Sequence, residues 1–134
     1  LAKMEAAKAE LDELGVESCL CKTDIADRAQ VQALADDAAS LGDVTQVIHT
    51  SGVSPSDTAT ENIMKINAAG TVNMVEAFYP VLAEGGMMIN FSSVAAYTMP
   101  QTDEWTQAFE AWNEPDFYDR LLALVWPMPC PRSL

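Results

Sequence analysis

The apolar residues of this chain recur in two patterns, one typical of helices and one typical of strands. In 29–41, for example, Val31, Leu34, Ala38 and Leu41 lie three or four positions apart, which is the repeat of an amphipathic helix. Short apolar runs such as 44–49 come after a glycine and predict buried strands. The predicted helices are 1–14, 29–41 and 60–83, and the predicted strands are 16–22, 44–49 and 87–91. Because helices and strands alternate, the pattern predicts an α/β fold with a parallel sheet.

The pattern changes after Pro100. Trp105, Phe109 and Trp112 have helical spacing, and Pro115 is well placed to begin a further helix that carries Phe117, Leu121 and Leu124 on one face. The last nine residues contain three prolines and show no periodicity. We therefore expect three regions: 1–100 as the α/β part, 101–125 as a helical insertion or lid, and 126–134 as an irregular tail.

Composition and charge narrow the possible partners. The 134 residues include seven basic and twenty acidic ones, for a net charge of −13. Such a surface disfavours nucleic acid, which is bound through an excess of Lys and Arg, and also disfavours an anionic membrane. No apolar run reaches the roughly 20 residues that a membrane span needs. Since no signal sequence opens the chain, we expect a cytoplasmic protein.

Cysteine and histidine are too few to suggest a metal centre. Cys19 and Cys21 lie two positions apart on a predicted strand, so they share a face, and we expect reduced thiols in the core. His49 is the single histidine. We expect it to be structural or to line a cofactor site, and we expect no metal ion.

Small polar residues stand where the predicted strands end. Ligands bind at the carboxyl ends of strands in open α/β sheets. Asp24 can accept a hydrogen bond there, Gly52 allows a close backbone approach, and Ser93 can hydrogen-bond a substrate oxygen. Each also has a simpler interpretation, as a turn cap, a turn glycine or an ordinary strand-end serine. Asn67, inside the long helix, can likewise be a plain solvated residue.

The order of these pieces resembles the short-chain dehydrogenase/reductase family. The matching segments are KTDIAD, VIHTSGVSP, MKINAAGTVNM and MMINFSSVAAY, which come in the family's order. The resemblance covers about residues 1–100 and implies part of a Rossmann-like, doubly wound parallel sheet, namely strands three to five of the family order. It also implies an oxidoreductase that moves a hydride between NAD or NADP and an alcohol or ketone.

The resemblance also implies roles for individual residues. Asp24, with Ile25 beside it, matches the aspartate that contacts the adenine ring. Thr50, Ser51 and Gly52 match the turn that lies along the cofactor, although only the glycine is kept from the family's Asn-Asn-Ala-Gly pattern. Asn67 matches the helix asparagine that holds a water of the proton relay. Ser93 matches the catalytic serine that orients the substrate oxygen.

Two of the family's motifs are missing from the sequence. The family's Tyr-x-x-x-Lys does not occur, since no lysine follows Lys65 and Tyr97 is followed four positions later by Gln101. No glycine-rich turn joins a strand to a helix, so a pyrophosphate cradle is also missing. The chain therefore resembles the central part of such an enzyme, and we expect it to be inactive alone. Binding of the cofactor by this chain is doubtful.

The family's strand order has a consequence for stability. Strands one and two lie between strands three and four in the order 3-2-1-4-5-6. The segments 44–49 and 87–91 can pair, whereas 16–22 has no neighbour. We therefore expect the chain to be marginally folded or to aggregate.

Alternatives stay open at this point. The segments VIHTSG and SSVAAY also resemble the extended branch of the same superfamily, which includes sugar-nucleotide epimerases and dehydratases. A non-catalytic, receiver-like α/β binding module is a third interpretation.

The resemblance also implies a homo-oligomer through the helix 60–83, with Met74, Val75, Phe78 and Tyr79 only partly buried in the monomer.

Overall fold

The computed structural model describes residues 2–98 and 101–125. The tail expected at 126–134 lies outside the described residues. The α-helices are α1 (Ala2–Glu13), α2 (Arg28–Leu41), α3 (Thr60–Ile63), α4 (Gly70–Phe78), α5 (Asp103–Glu110) and α6 (Phe117–Val125). The strands are β1 (Val44–His49) and β2 (Leu82–Asn90). A π-helical turn (Met64–Ala69) and two 3₁₀ turns (Tyr79–Val81 and Val94–Tyr97) complete the described secondary structure.

The sheet consists of β1 and β2, which pair in parallel. Val47 pairs with Met88, Ile48 with Ile89, and His49 with Asn90. This pairing confirms the prediction that these two segments are neighbours in a parallel sheet. The register is irregular near the start, where Val44 pairs with Leu82 but Gln46 pairs with Met87.

Gly85 and Gly86 lie within β2, at this irregularity. The predicted helix 60–83 therefore ends too late, and the predicted strand 87–91 begins earlier, at Leu82. Gly85 has a φ of 77°, which favours glycine, and a Cβ at Gly86 would lie 3.1 Å from the Thr45 carbonyl oxygen of β1. The helix ends earlier, at a 3₁₀ turn that contains Pro80, because proline has no N–H with which to continue a helix.

The segment 16–22 is not a strand. Strand formation requires a partner for the backbone N–H and C=O groups, and the described part of the chain offers none at this position. Cys19 and Cys21 are free thiols, as expected, but they are exposed. The prediction that they belong to the core is therefore wrong, because the segment that carries them does not join the sheet.

Two hydrophobic clusters hold the structure together. The first lies between the sheet, α2 and α4, and its buried members are Val31, Ala35, Val47, Met74, Ala77 and Phe78. Because Met74 and Phe78 are buried here, the expectation that they are only partly buried is wrong. Val75 is half-buried, and Tyr79 is exposed.

The second cluster joins the C-terminal helices to the π-helical turn. Ala108, Phe117 and Leu121 are its buried residues, and Met64 and Val72 pack against them. The two helices expected after Pro100 are confirmed as α5 and α6. Among the described residues, no helix is long and apolar enough to cross a membrane.

Candidate functional site

The carboxyl ends of β1 and β2 bring two of the predicted loops to one edge of the sheet. His49 and Asn90 are register partners, and the Phe91 N–H donates to the His49 carbonyl oxygen at 3.1 Å. The loops that follow the two strands therefore begin side by side. Thr50, Ser51 and Gly52 follow β1, and Ser93 follows β2, all with exposed side chains or backbone.

Asn67 holds the loop that follows β1. Its Oδ1 accepts a hydrogen bond from the Val53 N–H at 2.9 Å, and its Nδ2 donates to the Val53 carbonyl oxygen at 2.8 Å. Gly52 permits this contact, because a Cβ there would lie 3.3 Å from Asn67 Oδ1. Both ends of the side-chain amide are thus used to position the 50–53 loop. The structure brings Asn67 and Gly52 together as neighbours.

The helix widens at Asn67. Residues Met64–Ala69 form a π-helical turn, in which the Gly70 N–H bonds to the Lys65 carbonyl oxygen. The backbone carbonyl of Asn67 accepts a hydrogen bond from the Thr71 hydroxyl at 2.8 Å. Single π-helical turns are rare and often occur at functional sites. The continuous α-helix predicted for 60–83 missed this feature.

Asp24 and Ile25 form the turn that precedes α2. Asp24 Oδ1 accepts from the Ala26 N–H at 2.9 Å, so one carboxylate oxygen serves the turn. The carboxylate is otherwise at the surface, since Asp24 is exposed. The interpretation of Asp24 as a turn residue and its interpretation as a ligand contact are therefore compatible.

Ile25 is held by the same helix that carries Asn67. The Asn73 Nδ2 donates to the Ile25 carbonyl oxygen at 2.9 Å. A Cβ at Gly70 would lie 3.0 Å from the Ile25 side chain, so this glycine is needed for the close packing. Asn67, Gly70 and Asn73 lie three positions apart, and together they fix the 24–25 turn and the 50–53 loop on one helix face. This shared spacing is a signal that the sequence carried but that the predictions did not use.

An ion pair also joins α2 to α4. Arg28 at the start of α2 pairs with Glu76 of α4. The Asp27 carboxylate caps α2 by accepting from the Ala29 and Gln30 N–H groups. Hydrogen bonds from the Gln30 side chain and backbone lower the pKa of Asp27.

Ser93 is exposed at the end of the sheet and caps the 3₁₀ turn Val94–Tyr97. Its Oγ accepts a hydrogen bond from the Ala95 N–H at 3.2 Å. Since the oxygen acts as an acceptor in that contact, the hydroxyl proton stays available for donation to another oxygen. Ser93 therefore has the geometry of a donor at the carboxyl edge of the sheet.

His49 is buried beneath this edge. Its side chain is 4% exposed, and its Nε2 lies 3.3 Å from the Thr71 hydroxyl. Burial lowers the pKa of His49, which favours the neutral imidazole. This environment agrees with a structural role for the residue. The described residues contain no group of three or more His, Cys, Asp or Glu side chains arranged to hold a metal ion.

An open apolar cleft of about 740 Å³ lies along α5. Met64 and Ala96 line one part of it, and α5 lines the other. Met64 lies three residues before Asn67 in the sequence, and Ala96 lies three residues after Ser93.

Comparisons with known proteins identify the family of this chain. A family model described as short chain dehydrogenase matches residues 1–105, about three quarters of the chain. The chain belongs to the short-chain dehydrogenase/reductase family. The predicted family is therefore confirmed.

One curated relative and one solved structure illustrate the likeness. The short-chain dehydrogenase/reductase bsc3 of Alternaria brassicicola is 35% identical over 77 residues, which are 58% of this chain and 28% of that protein. A crystal structure of a short chain dehydrogenase from Burkholderia cenocepacia in complex with NADP has a TM-score of 0.60 and 19% identity. That alignment covers 90% of this chain and 49% of the other one.

The structural match confirms the predicted Rossmann-like α/β fold, and it does not address the site. The chain spans about half, or less, of the length of these two short-chain dehydrogenases.

Proposed function

We propose that this chain is the central part of an NAD(P)-dependent oxidoreductase that transfers a hydride between the nicotinamide cofactor and an alcohol or ketone. The observation that carries the proposal is the common sheet edge at which Ser93 and the Asn67-held loop 50–53 emerge side by side. Membership of the short-chain dehydrogenase/reductase family supports it. Neither the family match nor the structural match favours the epimerase or the receiver-like alternative.

Ser93 acts in this proposal on the substrate oxygen. Its hydroxyl accepts from the Ala95 N–H and keeps its proton for donation. A hydrogen bond to the carbonyl or alcohol oxygen orients the substrate, and it stabilises negative charge that develops on that oxygen. Asn67 acts as a positioning residue through its two contacts with Val53. The proton-relay water implied by the resemblance would lie near this residue.

The residues present fit part of a nicotinamide dinucleotide. The exposed Asp24 carboxylate can accept a hydrogen bond from an adenine amine, and Ile25 is held beside it. The small residues Thr50, Ser51 and Gly52 leave the sheet edge open for a flat ligand. The sequence has no glycine-rich turn between a strand and a helix, so the pyrophosphate would be held by residues outside these 134. The proposal covers both NAD and NADP.

The reaction in the oxidative direction breaks the carbinol C–H and O–H bonds. A bound oxidised nicotinamide would supply the acceptor for the hydride that leaves the carbinol carbon. The hydroxyl proton must pass to an acid/base group while Ser93 holds the oxygen. This sequence lacks Tyr-x-x-x-Lys, the pair that takes this proton in the family, and we therefore propose that the chain alone has no turnover.

The wider setting is also part of the proposal. We propose a cytoplasmic protein that assembles as a homo-oligomer through the segment 60–83 that was predicted as one helix. Lys65 in its π-helical turn and Tyr79 in its 3₁₀ turn are exposed and available for such a contact, whereas Met74 and Phe78 are committed to the core.

The test uses the product of the whole reading frame that encodes this chain together with a glycine-rich turn and a Tyr-x-x-x-Lys. In that protein, Ser93→Ala should lower kcat/KM for hydride transfer by about 100-fold or more, because a donor to the developing charge is lost. Nicotinamide absorbance follows the reaction. Ser92→Ala is the matched control, since Ser92 is also exposed and adjacent, and it should change kcat/KM little. Equal effects of the two substitutions would remove Ser93 from the site.

A further inference from the structure

The apolar cleft along α5 has a wall of aromatic rings. Trp105 and Phe109 stack with ring centroids 6.0 Å apart and planes inclined by 24°. Phe109 also meets Phe117 edge-on, with centroids 6.5 Å apart and planes inclined by 60°. Trp112 lines the cleft as well. The cleft therefore presents several flat apolar surfaces.

This wall is anchored from behind by the second hydrophobic cluster. Phe117 is buried in that cluster together with Ala108 and Leu121, and Trp105 packs against it. Phe109 and Trp112 nevertheless keep about half of their surface exposed. Large aromatic side chains that are supported on one side and exposed on the other are typical of ligand sites.

The charge of the lining selects against anions. Among the described residues that line the cleft, Glu110 is the single ionisable one. The described lining contains no lysine or arginine, so a carboxylate or phosphate on a ligand would find no counter-ion among these residues and would face the Glu110 carboxylate. The net charge of −13 acts in the same direction.

The size and place of the cleft suggest its occupant. A volume of about 740 Å³ is enough for a drug-sized molecule. Two residues that line the cleft, Ala96 and Met64, lie three positions in the sequence from Ser93 and Asn67. We infer that the cleft binds an uncharged, ring-containing apolar small molecule, and that helix α5 makes this selection. That the molecule is the alcohol or ketone substrate rests on the proposed function, whereas its binding in the cleft does not.

The test is a pair of fluorescent probes with one ring system and different charge. N-phenyl-1-naphthylamine is neutral, and 8-anilinonaphthalene-1-sulfonate carries the same rings with a sulfonate. The chain should bind the neutral probe about tenfold or more tightly, with energy transfer from tryptophan, because desolvating an unpaired anion is costly. Equal affinity for the two probes would contradict the charge selection. The measurement needs neither cofactor nor turnover, so failure of the proposed activity would leave its result unchanged.

Two tryptophan substitutions on α5 locate the binding site. Thr106 lines the cleft and Gln107 does not, although both are exposed on the same helix. Thr106→Trp should fill the cleft and weaken binding of the neutral probe about tenfold, a loss comparable to that of one buried apolar side chain. Gln107→Trp should leave binding unchanged, and circular dichroism of both variants checks that the helices are kept. Equal loss in both variants would overturn the inference.

Two further substitutions address folding and competing surfaces. Glu110→Gln should tighten binding of the sulfonate probe severalfold and leave the neutral probe unchanged. Phe91→Ser removes an exposed ring from the sheet, away from the cleft lining. If Phe91→Ser abolishes binding of the neutral probe and Thr106→Trp does not, the probe binds the sheet face and the inference is wrong.

Discussion

The two faces of the small sheet have very different environments. Val47 and His49 of β1 point to the inner face, where α2 and α4 cover them, and both are buried. Ile48 alternates with them and points to the outer face, together with Met87, Ile89 and Phe91, and all four are exposed. Neighbouring residues of one strand therefore differ completely in burial, although Val47 and Ile48 are both apolar.

Both faces of these strands carry apolar side chains, as is usual in a sheet that is covered on both sides. Strands of parallel sheets in α/β proteins are apolar on both sides because helices cover each face. In the described part of this chain, helices cover one face. The exposed outer face and the unpaired segment 16–22 both agree with the proposal that the chain is the central part of a short-chain dehydrogenase/reductase, in which further strands and helices would complete the sheet.

The largest expected effect is a difference in stability between two matched substitutions, one on each face of the sheet. Phe78 is 6% exposed in the inner cluster, and Phe91 is 67% exposed on the outer side. Phe78→Ala should cost about 3–5 kcal/mol and unfold much of a marginal chain. Phe91→Ala should change the free energy of unfolding by less than about 0.5 kcal/mol. Chemical denaturation followed by circular dichroism measures both, and similar losses would contradict the assignment of the faces.

A smaller effect is expected where the inner-face helix holds the sheet edge. Asn67→Ala removes two hydrogen bonds to Val53, each worth about 0.5–1.5 kcal/mol. Hydrogen exchange of the Val53 amide should become faster, because that N–H donates to Asn67. Asn62→Ala is the control, since the Asn62 side chain donates locally to the Thr58 hydroxyl, just before α3, and does not contact Val53. Unchanged exchange at Val53 in Asn67→Ala would show that this contact does not hold the loop.

The buried histidine of the inner face should make stability depend on pH. Burial lowers the pKa of His49 from its ordinary value of 6.5, so the folded state binds fewer protons than the unfolded state below that value. Stability should therefore fall as pH decreases through about 6.5 toward the lowered pKa. His49→Asn should flatten this part of the curve while keeping a polar group near Thr71. An identical pH dependence in His49→Asn, measured by thermal unfolding, would assign it to other groups.

The smallest change in stability is expected on the outer face. The double substitution Ile48→Thr and Ile89→Thr keeps β-branched residues and removes exposed apolar surface. The free energy of unfolding should change by less than about 0.5 kcal/mol, whereas self-association should decrease. Sedimentation velocity measures the association. A large loss of stability would mean that the outer face is covered in the isolated chain.

The periodicity of apolar residues correctly predicted those helices and strands that form from local sequence alone. The helix at 29–41 and the strand at 44–49 match α2 and β1 closely, because periodicity and stop residues determine them. The segment 16–22 was apolar enough for a strand, yet a strand forms only with a partner, which local sequence does not reveal. The exposure of Cys19 and Cys21 follows from the same cause. The π-helical turn at Asn67 has no periodic signal, so its geometry required the structure.

The residues of the candidate site follow from the family resemblance and stay predictions, and most of their contacts were not predicted. Ser93, Gly52 and Asn67 were identified through the family resemblance, and the structure places their segments at one edge. The contacts of Asn67 with Val53, Asn73 with Ile25 and Thr71 with His49 were not foreseen, because each joins residues far apart in the sequence.

The most direct test is the coding sequence that surrounds these 134 codons. If the chain is the central part of a short-chain oxidoreductase, the same reading frame should encode a glycine-rich strand-to-helix turn upstream and a Tyr-x-x-x-Lys downstream. Those segments would supply the pyrophosphate cradle, the proton acceptor and the cover of the outer face. A start codon immediately before Leu1 and a stop codon immediately after Leu134 would contradict the proposed function.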